Sequence, residues 1–335
     1  MKKLIFVLFI IVFLFVSVHG EVNFKGLVQS WFSMSTQVNG DTSNSIYGFS
    51  NRRIRLAPYG NLGKKMRWGV QFAFDKFATP VVLDAYLEYF ISRGAVLKFG
   101  KFAPPGSKAA ALTSSGKLDL IERASIVQMW GGNSGLHGYR AFGAQLSGKL
   151  MDGKIYYGLM IANALTASNN WFPGVKKLST TNSHNGFGFW GRLEVYPVHG
   201  LKVGGFMGSG NESDPAVADS DKKRNSYGGH IYYKKDGINL KFEYIGGDSN
   251  GIKYSGMYAV AGYMINKFEP VVGYESFTPV KDGEKYTNIS FGINYYHSKN
   301  FKLQANYVMR SEDTTAIDND IIYANVQYSF NSKKK

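Results

Sequence analysis

The stretch from Ile289 to Arg310 reads ISFGINYYHSKNFKLQANYVMR. In its first half Ile289, Phe291, Ile293 and Tyr295 alternate with Ser290, Gly292, Asn294 and Tyr296. After HSKN the rhythm resumes, with Phe301, Leu303, Ala305 and Tyr307 set between Lys302, Gln304 and Asn306. Successive side chains of a strand point to opposite faces. Two period-two runs joined by a short polar turn therefore predict a β-hairpin with one apolar and one polar face.

The same two-faced pattern runs through most of the 335-residue chain. Read by period two, it predicts sixteen strands, near 24–36, 46–59, 66–77, 82–90, 95–102, 138–148, 154–164, 186–196, 201–208, 226–234, 238–246, 256–264, 268–277, 286–296, 301–310 and 320–330. The connections after even-numbered strands are brief: NLGKK, SRG, MDG, PVHG, KDG, INK and HSKN. Most of the others are long and polar, with FATPV the short exception. Short turns on one rim and long loops on the other are the pattern of a bacterial outer-membrane barrel, with the turns and both termini in the periplasm. The expected fold is thus all-β, a transmembrane 16-stranded antiparallel barrel. The longest gap, 103–137 after strand five, contains Leu112, Leu118, Leu120, Ile121, Ile126, Val127, Met129 and Trp130. Such residues need burial, and in a wide barrel the place for them is inside, against the wall.

Charge placement says which solvent each face meets. Trp68, Val70, Phe72, Leu97, Phe99, Leu159, Ile161, Phe189, Leu193, Leu240, Phe242, Ile322 and Val326 share the apolar parity, where mid-strand charges are nearly absent. The opposite parity carries Arg53, Arg55, Arg67, Lys98, Arg192, Lys202, Lys234, Lys241, Lys302 and Arg310. Its acids are Asp75, Asp84, Glu88, Glu194, Glu243, Glu269 and Glu275. An Arg facing lipid at the bilayer midplane costs roughly 2–4 kcal/mol, whereas a water-filled lumen removes that cost. The aromatic content of the apolar face and strands of roughly ten residues both suit a bilayer crossing. Sixteen strands leave an aqueous channel rather than a filled core.

Composition agrees. Charged residues make up 19% and aromatics 15%, where soluble domains hold about 25% charged residues. The chain has no cysteine, which excludes disulfides, thiolate metal sites and a cysteine nucleophile. Formal net charge is +15, but no basic helix or nucleic-acid motif accompanies it, so nucleic acid is not an expected partner. At the start, MKK, a hydrophobic run over 4–18 and the small Gly20 form a secretion signal. The run is short of the roughly 20 residues a spanning helix needs. The expected organisation is a removed signal over 1–20, a barrel over 21–330 and a basic tail over 331–335.

The candidate functional residues are inward cations. Their excess over inward acids lowers the entry cost for anions; the competing reading is that they pair with those acids and leave a weakly selective pore. In the long loop, Lys101, Lys108 and Lys117 are expected to form an anion constriction. Asp119, Glu122 and Arg123 are expected to pin the loop to the wall. The anion-binding set is Arg53, Arg55, Lys98, Lys101, Lys108, Lys117, Arg123, Arg192 and Lys241. Six scattered histidines without an i,i+4 pair do not form a metal site. The acidic residues Asp214, Asp219, Asp221, Asp318 and Asp320 lack the EF-hand glycine and terminal Glu. The run GGFMGSG at 204–210 lacks the Lys-Ser/Thr ending of a phosphate loop.

Four stretches carry a family likeness: FSNRRIRLAPYGNLGKKMRWGVQFAFD, LDAYLEYF, LKFGKFAPPG and LTSSGKLDLIERA. With them, residues 24–125 resemble the phosphate-selective porin O and P family. The resemblance implies a trimeric, sixteen-stranded channel with the loop after strand five folded into the pore. Its phosphate-specific members line that pore with a dense set of arginines and lysines. Here the loop carries only Lys101, Lys108, Lys117 and Arg123, so passage of small anions, phosphate among them, is the transferred expectation. The other classes weighed are an outer-membrane enzyme and a receptor or structural barrel plugged by the 103–137 loop. The tail NSKKK departs from barrels that end on an aromatic residue such as Phe330.

Overall fold

The computed structural model describes residues 22–35, 46–75, 80–127, 140–163, 187–212, 222–249, 251–278, 285–313 and 319–333. The signal at 1–20, the second part of the long loop, Asp214, Asp219, Asp221, Asp318 and the last two lysines lie outside the described residues.

Sixteen strands form, in chain order β1 Val22–Ser35, β2 Ile46–Leu62, β3 Met66–Ala73, β4 Val81–Ser92, β5 Ala95–Phe102, β6 Ala141–Leu150, β7 Ile155–Asn163 and β8 Phe187–Val195. The second half comprises β9 Leu201–Glu212, β10 Lys222–Lys235, β11 Ile238–Ser249, β12 Ile252–Tyr263, β13 Phe268–Phe277, β14 Tyr286–Tyr296, β15 Phe301–Glu312 and β16 Ile321–Asn331. Each pairs antiparallel with its chain neighbours, and β1 closes the barrel on β16. The number and order match the period-two reading. The uniform length does not: strands run from 8 residues in β3 and β5 to 17 in β2. The run 204–210 is ladder within β9.

Turn chemistry fits the short rim. Between β10 and β11 only Asp236 and Gly237 intervene, with φ of 51° and 83°, the two positive values that a type I′ hairpin requires. The seam is sealed past the last strand. The Ser332 N–H donates to the Phe24 carbonyl at 2.9 Å, and the Phe24 N–H donates to Ser332 Oγ at 2.7 Å. The tail thus begins as a continuation of the ladder.

The opening hairpin shows the two faces directly. Phe291 and Ile293 are 51% and 46% exposed, while Asn294 on the same strand and Gln304 and Asn306 across the ladder are 0–5% exposed. The exposed row continues in Phe99, Leu159, Phe189, Leu193, Leu240, Phe242, Ile322 and Val326. Each such side chain moved from water into lipid contributes about 1.5–3 kcal/mol. The inner face is not uniformly polar. Phe206, Tyr232, Ile245, Tyr258, Val260 and Phe277 are buried with Ala109, Ala124, Ile126 and Val127 of the segment after β5 in one apolar cluster.

A bulge alters the period in the first hairpin. Gln29 pairs with Arg53 and Ser30 with Asn51, so Arg52 is the extra residue of β2. A bulge places two residues opposite one and redirects side chains. Arg52 and Arg53 consequently both reach Glu122.

At the β4–β5 ladder Gly100 has φ of +123°, and a Cβ there would lie 2.2 Å from the Ala85 carbonyl oxygen. We expect Gly100→Ala to destabilise the barrel by about 1–3 kcal/mol. The midpoint of urea unfolding in lipid vesicles reads this, and an unchanged midpoint refutes it.

The lumen as candidate functional site

Residues 103–127 are bonded to side chains of the inward parity almost around the barrel. On β11, both oxygens of the Glu243 carboxylate accept main-chain N–H groups, from Lys108 and Ala109, at 2.9 Å each. On β13, Glu275 accepts the Ser125 N–H at 2.7 Å. On β15, Asn306 accepts the Ile121 N–H at 2.6 Å, and Lys302 donates to the Leu118 carbonyl at 2.9 Å. On β16 and β1, Gln327 and Gln29 donate to the carbonyls of Gly116 and Ser115 at 3.0 and 3.3 Å. Arg192 on β8 donates to the Gly106 carbonyl at 2.8 Å.

Ion pairs add to this. Glu122 accepts Arg52 at 2.6 and 3.0 Å and Arg53 at 3.1 Å. Asp119 pairs with Lys241 and accepts Asn239 at 2.8 Å. Glu194 collects Lys108, Arg192 at 2.6 Å and His230 at 2.7 Å. Asp119 and Glu122 are thus both paired with side chains of the wall. Arg123, read from the sequence as a pin to the wall, instead braces the segment itself, donating to the carbonyls of Ala109 and Thr113 at 2.6 and 2.7 Å. Burial, with the neighbouring guanidiniums of Arg53 and Arg140, lowers Arg123 to about 10, so it stays charged at neutral pH. Burial also lowers Lys108, against the pull of Glu194.

A cavity of about 850 Å³ lies between this segment and the wall of β1–β4, β15 and β16. Arg52, Arg53, Arg55, Lys117, Arg123 and Arg140 line its body, and Lys25, Lys299 and Lys302 line it toward the short-turn rim. Among the described residues, the carboxylates lining it are Asp84 and Glu122. Arg55 pairs with Asp75 at 2.5 Å and Arg140 with Asp84 at 2.9 Å. Lys117 is exposed on the segment.

The nine residues chosen from sequence thus divide. Arg53, Arg55, Lys117 and Arg123 meet in the cavity. Lys108, Arg192 and Lys241 are held by Glu194 and Asp119 beneath the segment. Lys98 lies 3.3 Å from Glu88, with its ammonium 3.6 Å from the Tyr86 ring. Lys101 donates to the Val82 carbonyl at 3.1 Å and is 4% exposed. Arg52 and Arg140 were not anticipated. The bulge hides Arg52 from a period-two reading. Arg140 stands just ahead of β6, where the strand boundary is least certain.

A closed sixteen-stranded barrel with an apolar exterior and a polar inner wall has the architecture of the outer-membrane porins. Three solved structures share the fold. The outer membrane protein OmpT of Vibrio cholerae, in its trimer form, is 12% identical, covers 93% of this chain and 99% of its own, and superposes with a TM-score of 0.68. OmpF of Salmonella typhi, in complex with daunomycin, is 14% identical over 94% of this chain and 99% of its own, with a TM-score of 0.68. The outer membrane channel DcaP of Acinetobacter baumannii is 13% identical over 93% and 98%, with a TM-score of 0.65. No curated protein matches the sequence. The family model described as phosphate-selective porin O and P matches residues 22–168, which span β1–β7 and the segment after β5. The chain thus has the fold of the outer-membrane porins and carries this family's pattern over that stretch.

Proposed function

We propose that this porin is a passive channel for small hydrophilic solutes that prefers anions, phosphate included, and performs no chemistry of its own. The observation that carries the reading is the lining of the cavity. Nine cations, from Lys25 at the rim to Arg140 within, face two carboxylates. Low-dielectric walls focus such a field on passing ions. Partial neutralisation by Asp75, Asp84 and Glu122 leaves the wall positive and the sites weak, which a conducting pore needs in order to release what it attracts. The segment after β5 serves as the constriction, and the 1–20 stretch as a cleaved signal.

The reading extends to a homotrimer. Ser30 and Asn51 fall on the lipid-facing parity, where Ser30 Oγ donates to Asn51 Oδ1 at 2.7 Å. Polar groups facing hydrocarbon are costly, and a neighbouring copy would cover them. The mass of the folded protein in detergent measures assembly. Planar-bilayer recordings in a salt gradient test the channel. A reversal potential of the sign set by anions is expected, and one set by cations overturns the anion preference.

A further inference from the structure

Three acids of the inner wall share one arc, apart from Asp75, Asp84 and Glu88 beside the cations of β2–β6. Glu194, Glu243 and Glu275 stand on β8, β11 and β13, and they are 3%, 0% and 8% exposed. The segment 103–127 lies over all three: Lys108 on Glu194, the N–H groups of Lys108 and Ala109 on Glu243, and the N–H of Ser125 on Glu275. The opposite arc, with Arg53 and Arg55 on β2, faces the open cavity. Hydrogen-bond donors aimed at a carboxylate disperse its charge, and packed chain keeps hydrated ions away from it.

We propose that segment 103–127 determines selectivity by covering Glu194, Glu243 and Glu275, so that permeating ions meet the arc where cations outnumber Asp84 and Glu122. This rests on the anion-channel reading and gives it a structural cause. Narrowing of the lumen follows from the same packing but makes a different demand. Narrowing acts whatever lies beneath the segment, whereas cover acts only through the carboxylates it hides.

The test compares the intact protein with two barrels in which residues 106–126 are replaced by a short Gly-Ser linker. One keeps the acids; the other also carries Glu194→Gln, Glu243→Gln and Glu275→Gln. Heat-modifiable migration on gels establishes that each barrel is folded, and reversal potentials in a potassium chloride gradient give the ratio of anion to cation permeability. The ratio should fall severalfold in the first barrel and recover most of that loss in the second. Equal ratios in the two loopless barrels overturn the proposal. A pair of substitutions in the intact chain reads the same point without deleting the segment. Asp84→Asn, on the cavity, should shift the ratio toward anions, and Glu275→Gln, under cover, should leave it unchanged. A Glu275→Gln shift as large as that of Asp84→Asn also overturns cover. The reversal potential of the intact protein judges the anion reading separately, since the difference between the loopless barrels registers whichever ion that protein prefers.

Discussion

Lys117→Glu is expected to lower the ratio of anion to cation permeability about sevenfold. Lys117 is exposed on the segment and lines the cavity. Its position is held because the carbonyls of Ser115 and Gly116, just before it, accept Gln29 and Gln327. The substitution changes the local charge by two units. At about 7 Å in water each unit is worth roughly 0.6 kcal/mol to a monovalent ion. The effect is opposite for anions and cations, which doubles it. Screening at 0.1 M salt, with a Debye length of about 10 Å, halves it again. About 1.2 kcal/mol remains, close to a factor of seven. Lys64→Glu, at the β2–β3 turn and away from the cavity lining, is the matched control and should move the ratio little. Equal shifts from the two positions would place the controlling field at the rim rather than in the cavity.

Glu194→Ala is expected to cost about 3–5 kcal/mol of stability, the range for removing one partner of a buried ion pair. Glu194 is the shared acceptor of Lys108, Arg192 and His230, and its side chain and that of Arg192 are 4% and 3% exposed. Without it, two cations remain in a confined site with no carboxylate. Urea unfolding in vesicles measures the loss. Adding Arg192→Met should restore part of it, because one stranded charge is then removed along with its partner. If Glu194→Ala unfolds at the midpoint of the parent protein, the cluster does not hold the segment to β8.

The architecture was legible because a two-sided sheet repeats one rule. Ser290, Asn294, Gln304 and Asn306 separate from Phe291, Ile293 and Leu303 by parity alone, and the structure keeps that separation in its pattern of exposure. Individual side chains were less legible, for two reasons. One is local: the extra residue in β2 turns Arg52 inward, and nothing in NRRIR marks which residue is extra. The other is distant. Lys108 meets Glu194 and Lys241 meets Asp119 across 86 and 122 residues of chain. Such pairing depends on how closure sets one strand against another, so cations counted from sequence as open to solute include several that are spent on holding the segment. Arg53, Arg55, Lys117 and Arg123, which do reach the cavity, come from β2 and from the segment after β5.

The seam between β1 and β16 has a consequence for biogenesis. Val22–Ser35 finds one partner at once in β2, but the other consists of the final 11-residue strand. Until that strand is made, the growing ribbon has two raw margins, each a row of unpaired amides that hydrocarbon will not solvate. Closure must bring together chain ends about 300 residues apart, which is slow. A truncation that removes β16 therefore leaves a sheet with β1 unpaired on one side, which never becomes a tube.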